Sequence, residues 1–254
     1  MHYHIAMPDE VNIRFYAELN LLLPLDQRDT GFNYEIKKTR SVKDLIESIG
    51  VPHTEIDLIF VDDESVDFTY QIEGGEQIRI YPSSNNLDNP ALIHNQPGAL
   101  AEPKFLLDVH LGRLATYLRM LGFDTLYRND YDDPTLAHIS AQQNRILLTC
   151  DRKLLMRKAV THGYLVNSRK PRQQIHEVLK RFDLYDYESE RARCLRCNGL
   201  IHTVSKQAIA TRLLPLTKKY YDDFFQCDSC DKIYWEGSHH RKIQTLVATV
   251  KAGG

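Results

Sequence analysis

The chain is 254 residues long, 43% hydrophobic and 26% charged, a globular composition that excludes intrinsic disorder. No apolar run approaches the ~18 residues a membrane helix needs, and MHYHIAMPDE has neither a basic nor an apolar leader region. Neither a membrane span nor a signal peptide is therefore expected, and the cytoplasm is the expected compartment. The net charge of -2 hides a gradient: residues 1–102 hold 18 Asp/Glu against 7 Lys/Arg, residues 103–188 hold 10 against 14, and residues 189–254 hold 6 against 11. The basic part suits a polyanion such as nucleic acid, or else the oppositely charged parts help each other dock.

Residues 1–82 read as strand, strand, helix, strands. VNIRFYAEL alternates, with Val11, Ile13 and Phe15 on one face as in a half-buried strand, and FNYEIK repeats the pattern. TRSVKDLIESIG predicts a helix with Ser41 as N-cap, a stripe of Val42, Leu45, Ile46 and Ile49, and Gly50 as its stop before Pro52. DLIFVDDESVDF and GGEQIRIYP predict further strands joined by a turn. This order resembles the ubiquitin-like β-grasp. Sulfur carriers of that fold end in a free Gly-Gly. Here the domain runs on through Tyr81 and Pro82, so that chemistry is not expected of it, and the terminal KAGG reads as a flexible tail. Residues 83–103 are dense in Asn, Pro, Ser and Gly without a period and read as a linker.

From residue 104, strands and helices alternate. KFLLDV predicts a strand, and HLGRLATYLRMLG a helix with Leu111, Leu114, Ala115, Leu118 and Leu121 on one face and Gly122 as its stop. FDTLYR is a second strand, DDPTLAHISAQQN a helix entered at Asp133 and Pro134, and RILLT a third strand. RKLLMRKAVTHG predicts a helix stopped by Gly163, YLVNS a fourth strand and PRQQIHEVLKRF a fourth helix. Repeated β-α-β units imply an α/β domain with a parallel sheet and right-handed crossovers.

In open parallel sheets, chemistry sits beyond the carboxyl ends of the strands. Asp108 closes FLLD, Asp151 follows RILLTC, and Asp132 and Asp133 lie in the loop after the second strand. Carboxylates gathered at one edge repel one another unless a cation lies between them. Mg²⁺ or Mn²⁺ takes oxygen ligands and keeps water, which suits phosphodiester hydrolysis. Arg113, Arg152 and Lys153 then become candidate contacts to substrate phosphates. The competing reading is local. An aspartate before a helix is commonly a cap, which applies to Asp133 and Asp151 but less to Asp108, set inside an apolar run. Taken singly, the three cations read more readily as solvated charges, and Cys150 as a small buried filler.

Cys194, Cys197, Cys227 and Cys230 form two C-x₂-C pairs with 29 residues between them. In a cytosolic chain this pattern predicts a tetrahedral, structural Zn²⁺ site on a ribbon with an inserted excursion. His239 and His240 are alternative ligands. Metal binding would largely fold so small a module. KIYWEGSHHRK then mixes aromatic and basic groups suited to stacking bases and touching phosphates, with Arg241 and Lys242 as candidate nucleic-acid contacts. Tyr234 and Trp235 read alternatively as packing the ribbon's own core, the reading favoured for Trp235.

Taken in order, FLLDVHLGRLATYLRMLGFDT, DDPTLAHISAQQNRILLTCDRKLL, CLRCNG and CDSCDKIYWEGSHH resemble the Mut-seven C-terminal RNase family. The resemblance spans residues 103–245 by motif and the whole chain by architecture. It implies a ubiquitin-like β-grasp domain over 1–82, a linker over 83–103, a PIN-like nuclease domain over 104–188, and a zinc ribbon with a C-terminal tail over 189–254. It implies a metal-dependent ribonuclease in which Asp108, Asp133 and Asp151 bind Mg²⁺ or Mn²⁺, with Asp132 in reserve, Asp130 as a further acid and Arg113 close by. Where relatives carry a basic residue before the last aspartate, this chain has Cys150, leaving Arg152 to substitute. RNA is the expected partner, the ribbon extending its surface. The β-grasp offers a site for a protein partner, or a cover for the basic face when RNA is absent. The alternatives are a non-catalytic RNA- or ribosome-binding adaptor working through the ribbon, and a protein-interaction module centred on the β-grasp.

Overall fold

The computed structural model describes residues 10–82, 91–98, 102–189, 191–236 and 248. The expected tail KAGG, and His239, His240, Arg241 and Lys242, lie outside the described residues. Two compact units emerge, one of residues 1–99, 140–143 and 151–165, the other of residues 100–139, 144–150 and 166–254.

The first unit opens with β1 (Glu10–Phe15), whose alternation buries Val11, Ile13 and Phe15. Next come β2 (Phe32–Glu35), β3 (Arg40–Ser41) and α1 (Val42–Ile49). Then follow β4 (Ile56–Val61), β5 (Glu64–Val66), β6 (Gln71–Ile72) and β7 (Gln77–Pro82). The main sheet has the order β2-β1-β7-β4-β5, with β1 parallel to β7 and antiparallel to β2. This mixed sheet crossed by one helix is ubiquitin-like. Helix α1 has the predicted ends: Ser41 Oγ accepts the Asp44 N–H at 3.1 Å, and Gly50 adopts φ 103°. It buries Val42, Leu45 and Ile46. Residues 91–98, read as linker, are tied to β4. Asn95 N–H donates to Asp57 O at 2.8 Å, Gln96 Nε2 donates to His53 O at 2.9 Å, and His94 Nδ1 lies 2.7 Å from Asp57 Oδ2. Amide side chains that mimic backbone hydrogen bonding give this stretch a fixed course without periodicity.

The α/β elements are β8 (Lys104–Leu107), α2 (Gly112–Met120), β9 (Asp124–Tyr127), α3 (Asp133–Gln143), β10 (Ile146–Thr149), α4 (Arg152–Leu155), β11 (Gly163–Leu165) and α5 (Pro171–Arg181). Their sheet has the order β11-β10-β8-β9, and β8 pairs in parallel with both β9 and β10. Phe105, Leu106 and Leu107 of β8 are wholly buried, as befits a central parallel strand. The helix expected over RKLLMRKAVTHG is only four residues long. After Leu154 and Leu155, the next position on its apolar face is Lys158, so the chain turns instead and buries Val160.

The ribbon comprises β12 (Ile201–Val204), α6 (Lys206–Ile209), α7 (Pro215–Tyr220), β13 (Phe224–Cys227) and β14 (Ile233–Trp235). The three strands form one antiparallel sheet, β12-β13-β14. Helices α6 and α7 are the excursion that lengthens the spacing between the cysteine pairs.

Candidate active site and metal centre

Asp108 stands at the carboxyl end of β8, in the middle of the parallel sheet, and is only 5% exposed. Its Oδ1 accepts the His110 N–H at 2.8 Å, and its Oδ2 accepts the Cys150 N–H at 3.1 Å and the Thr149 hydroxyl. All three donors are uncharged, and no Lys, Arg or His among the described residues forms an ion pair with this carboxylate. A buried carboxylate is ordinarily paired or bound to a metal, so its environment fits a cation. Thr149 and the two backbone amides were not singled out from the sequence. The sequence signal was a Thr closing the apolar run ILLT.

Tyr127, at the end of β9, donates its hydroxyl to Val109 O at 3.1 Å, fixing the short turn Val109–Leu111 that follows Asp108. Cys150 is exposed as a residue. Even so, desolvation, reinforced by Asp108 and Glu177, pushes its thiol up to about 11, so it stays protonated and adds no charge.

The other acids have local partners. Asp132 Oδ1 accepts the Thr135 N–H at 2.9 Å and caps α3, so the cap is Asp132, and Asp133 is the first helical residue. Asp151 Oδ1 accepts the Lys153 N–H at 2.8 Å and caps α4. Asp130 is exposed and bonded twice to Arg128, at 2.8 and 2.5 Å. Among the described residues, the one group of three or more His, Cys, Asp or Glu side chains whose ligand atoms all lie within 4.8 Å is the cysteine quartet. The aspartates do not gather so closely. Mg²⁺ is commonly held by one or two carboxylates with water completing its shell, so the donor chemistry still fits a hard ion.

Arg113 and Lys153 are exposed, as a phosphate contact requires. Arg152 has different neighbours: its Nη1 donates to Leu22 O at 2.7 Å and to Gly50 O at 3.4 Å.

The cysteines come together at the turn before β12 and the turn after β13. Cys194 and Cys230 sulfurs lie 3.6 Å apart, and Cys197 and Cys227 sulfurs 3.4 Å. A zinc–sulfur tetrahedron of ~2.3 Å bonds places sulfurs ~3.8 Å apart, so the four thiolates fit structural zinc. The Tyr234 hydroxyl lies 3.0 Å from Cys194 Sγ and accepts the Leu195 N–H at 3.2 Å. Burial pushes Cys194 up, but hydrogen bonds from Tyr234 and from the backbone of Cys197 and Arg196 outweigh it and bring the thiol down to about 6. Cys197 moves up, through burial and its thiol neighbours, so of this pair Cys194 is the first to become a thiolate. Tyr234 thus belongs to the ribbon interior. Trp235 differs from the favoured reading: it is 37% exposed, its ring 6.4 Å from that of Tyr221.

A polar network missed in the sequence joins the first knuckle to β9. Buried Arg119 of α2 donates to Thr125 O at 2.9 Å, Leu195 O at 3.1 Å and Arg196 O at 3.2 Å. Asp124 accepts from Arg145 at 2.7 Å and from Asn198 at 2.8 Å.

These features define an α/β sheet domain with an acidic strand end, carrying a four-cysteine ribbon and preceded by a ubiquitin-like domain. The family model of the Mut7-C RNAse domain matches residues 103–247, and that of the Mut7-C ubiquitin domain matches residues 8–88. The chain belongs to the Mut7-C RNAse domain family. Comparison with curated proteins and with solved structures finds no match. No helix among the described residues is long and apolar enough to cross a membrane.

Proposed function

We propose that this protein is a cytoplasmic, divalent-metal-dependent ribonuclease that hydrolyses RNA phosphodiester bonds. The observation that carries the reading is Asp108, a buried carboxylate at the centre of the parallel sheet with three neutral donors and, among the described residues, no ion-pair partner. The family's RNAse domain supports the substrate class.

Asp108, Asp133 and Asp151 are the proposed oxygen ligands, with Asp132 in reserve. Mg²⁺ or Mn²⁺ bound there would supply charge compensation and acidify a water for attack on phosphorus. Thr149 and the amides of Cys150 and His110 hold the Asp108 carboxylate in one orientation. Exposed Arg113 and Lys153 meet substrate phosphates, and Arg241 and Lys242, outside the described residues, are further candidate RNA contacts. Zinc on the four cysteines holds the ribbon in shape.

The test compares wild type with Asp108→Asn, both free of metal except zinc, on single-stranded and structured RNAs with and without Mn²⁺. Cleavage that needs Mn²⁺ and is lost in Asp108→Asn is the expected result. The wider spacing of the aspartates favours a second reading, a non-catalytic RNA-binding adaptor working through the ribbon. RNA binding without cleavage in both proteins would select it.

A further inference from the structure

The segment that follows β10 belongs to the same compact unit as the ubiquitin-like domain. Three residues bind it there. Arg152, the residue after Asp151, donates to Leu22 O at 2.7 Å and Gly50 O at 3.4 Å. Both carbonyls stand at helix ends: Leu22 closes a short 3₁₀ helix (Ala17–Leu22), and Gly50 is the C-cap of α1. The last carbonyls of a helix lack intrahelical partners and carry partial negative charge, so a guanidinium placed there satisfies both. His53, only 6% exposed, points Nε2 at Val160 O, 2.8 Å away, and Nδ1 at Glu47 Oε1, 2.7 Å away. Glu55, also 6% exposed, accepts the Leu165 N–H at 2.7 Å. Leu154, Leu155 and Val160 of the segment are buried.

We infer that the ubiquitin-like domain holds the segment carrying Asp151 in place through Arg152, His53 and Glu55, making Arg152 a positioning residue for Asp151. The inference rests on the reading of Asp151 as a metal ligand. Its physical basis is separate: buried polar groups on one turn, His53–Glu55, have partners in residues 160–165, and the helix-end carbonyls of Leu22 and Gly50 take the Arg152 guanidinium. Giving Nη1 to these carbonyls assigns Arg152 a role other than phosphate recognition. The ubiquitin-like domain then holds the segment of a proposed metal ligand, a role beyond that of a recruiter.

The test uses the full chain with zinc bound. Arg152→Met keeps the packing of the stem and removes the donors, Arg152→Lys keeps one donor, and Asp151→Asn removes the ligand. Mn²⁺ binding is read directly from the free-ion paramagnetic resonance signal, beside affinity for a single-stranded RNA and amide exchange across residues 151–165. Arg152→Met should bind Mn²⁺ about tenfold more weakly, as loss of a supporting group around a metal site does. Exchange across 151–165 should quicken, RNA affinity should hold, and Arg152→Lys should recover most of the loss and report the same effect in part should Arg152→Met not fold. Wild-type Mn²⁺ binding by Arg152→Met overturns the positioning role. Lost RNA affinity with unchanged exchange also overturns it and makes Arg152 a phosphate contact. If Asp151→Asn binds Mn²⁺ as wild type does, the ligand reading of Asp151 fails and takes the positioning role with it. If Asp151→Asn loses Mn²⁺ while Arg152→Met and Arg152→Lys do not, the positioning role alone fails.

Discussion

Asn198 Oδ1 accepts the backbone N–H of Thr125 at 2.8 Å, so the residue after the first cysteine pair completes the hydrogen bonding of the buried start of β9. Its Nδ2 donates to Asp124 Oδ1 at 2.8 Å, and its own backbone is left-handed, with φ 73°. Asn198→Ala strands a buried N–H and places an ordinary side chain at positive φ. The expected cost is about 2–4 kcal/mol, combining an unmade buried hydrogen bond with local strain. Asn198→Gly relieves only the strain and should recover about 1 kcal/mol of it. Urea unfolding of the zinc-loaded proteins separates the two contributions. Equal midpoints for Asn198→Ala and wild type would remove Asn198 from the account.

The Tyr234 hydroxyl is set against a zinc-ribbon sulfur from outside the cysteine turns, 3.0 Å from Cys194. Tyr234→Phe removes that hydrogen bond and the partner of the Leu195 N–H. Zinc affinity should fall by about tenfold, the scale for loss of a group supporting a metal ligand. Competition with a chromophoric chelator measures it. The same titration on wild type should show that removing the metal unfolds the ribbon, since a small module with four buried or half-buried thiols has little else to hold it.

The sequence carried the elements whose signals are local. Ser41 and Gly50 mark the ends of α1 because capping and left-handed stops depend on residues within a turn of one another. The cysteine quartet was legible because C-x₂-C spacing is itself the ligand geometry. Asp108 was legible as a carboxylate breaking an apolar run. Arg119 was not, since its acceptors Leu195 O and Arg196 O are backbone atoms 76 and 77 residues away, and any residue type supplies a carbonyl. Asn198 precedes a Gly, a turn signal that predicts its left-handed backbone but not what its carboxamide meets. Nothing local in the sequence singles out His53 and Glu55. Their partners Val160 and Leu165 came into reach because the helix expected there ends at Leu155.

Asp124 gives the fold an acid-sensitive joint. Burial raises its carboxyl, but hydrogen bonds from Arg145 and Asn198, with the Arg145 and Arg193 charges, outweigh burial and hold it below the usual carboxylate range. A carboxyl depressed by folding stabilises fully above its unfolded pKa, about 3.9, and that stability is lost as pH falls through the folded value. Stability of wild type should therefore decline below about pH 5. Asp124→Asn should flatten that acid limb. At pH 7 it should cost about 3 kcal/mol, because Arg145 is left buried beside a neutral partner. Urea unfolding at several pH values between 7 and 3 reads both effects. An acid limb equally steep in wild type and Asp124→Asn would place the acid sensitivity elsewhere.

Gly112 governs the turn that presents Asp108. A Cβ at this position would lie 2.7 Å from Tyr127 Oη and 2.9 Å from its Cζ, both inside ordinary contact distance. Tyr127 Oη holds Val109 O at 3.1 Å, and the next residue, His110, gives its N–H to Asp108 Oδ1. Gly112→Ala must push the Tyr127 ring away, release Val109 and loosen the turn. Overpacking of this kind costs about 1–3 kcal/mol. Tyr127→Leu introduced with Gly112→Ala removes the ring and should recover part of that stability. It should not recover Mn²⁺-dependent cleavage, because Val109 O still lacks its donor. Thermal melts and cleavage rates on the single and double variants check both statements. Full activity in Gly112→Ala would show that Asp108 keeps its place without the Tyr127 contact.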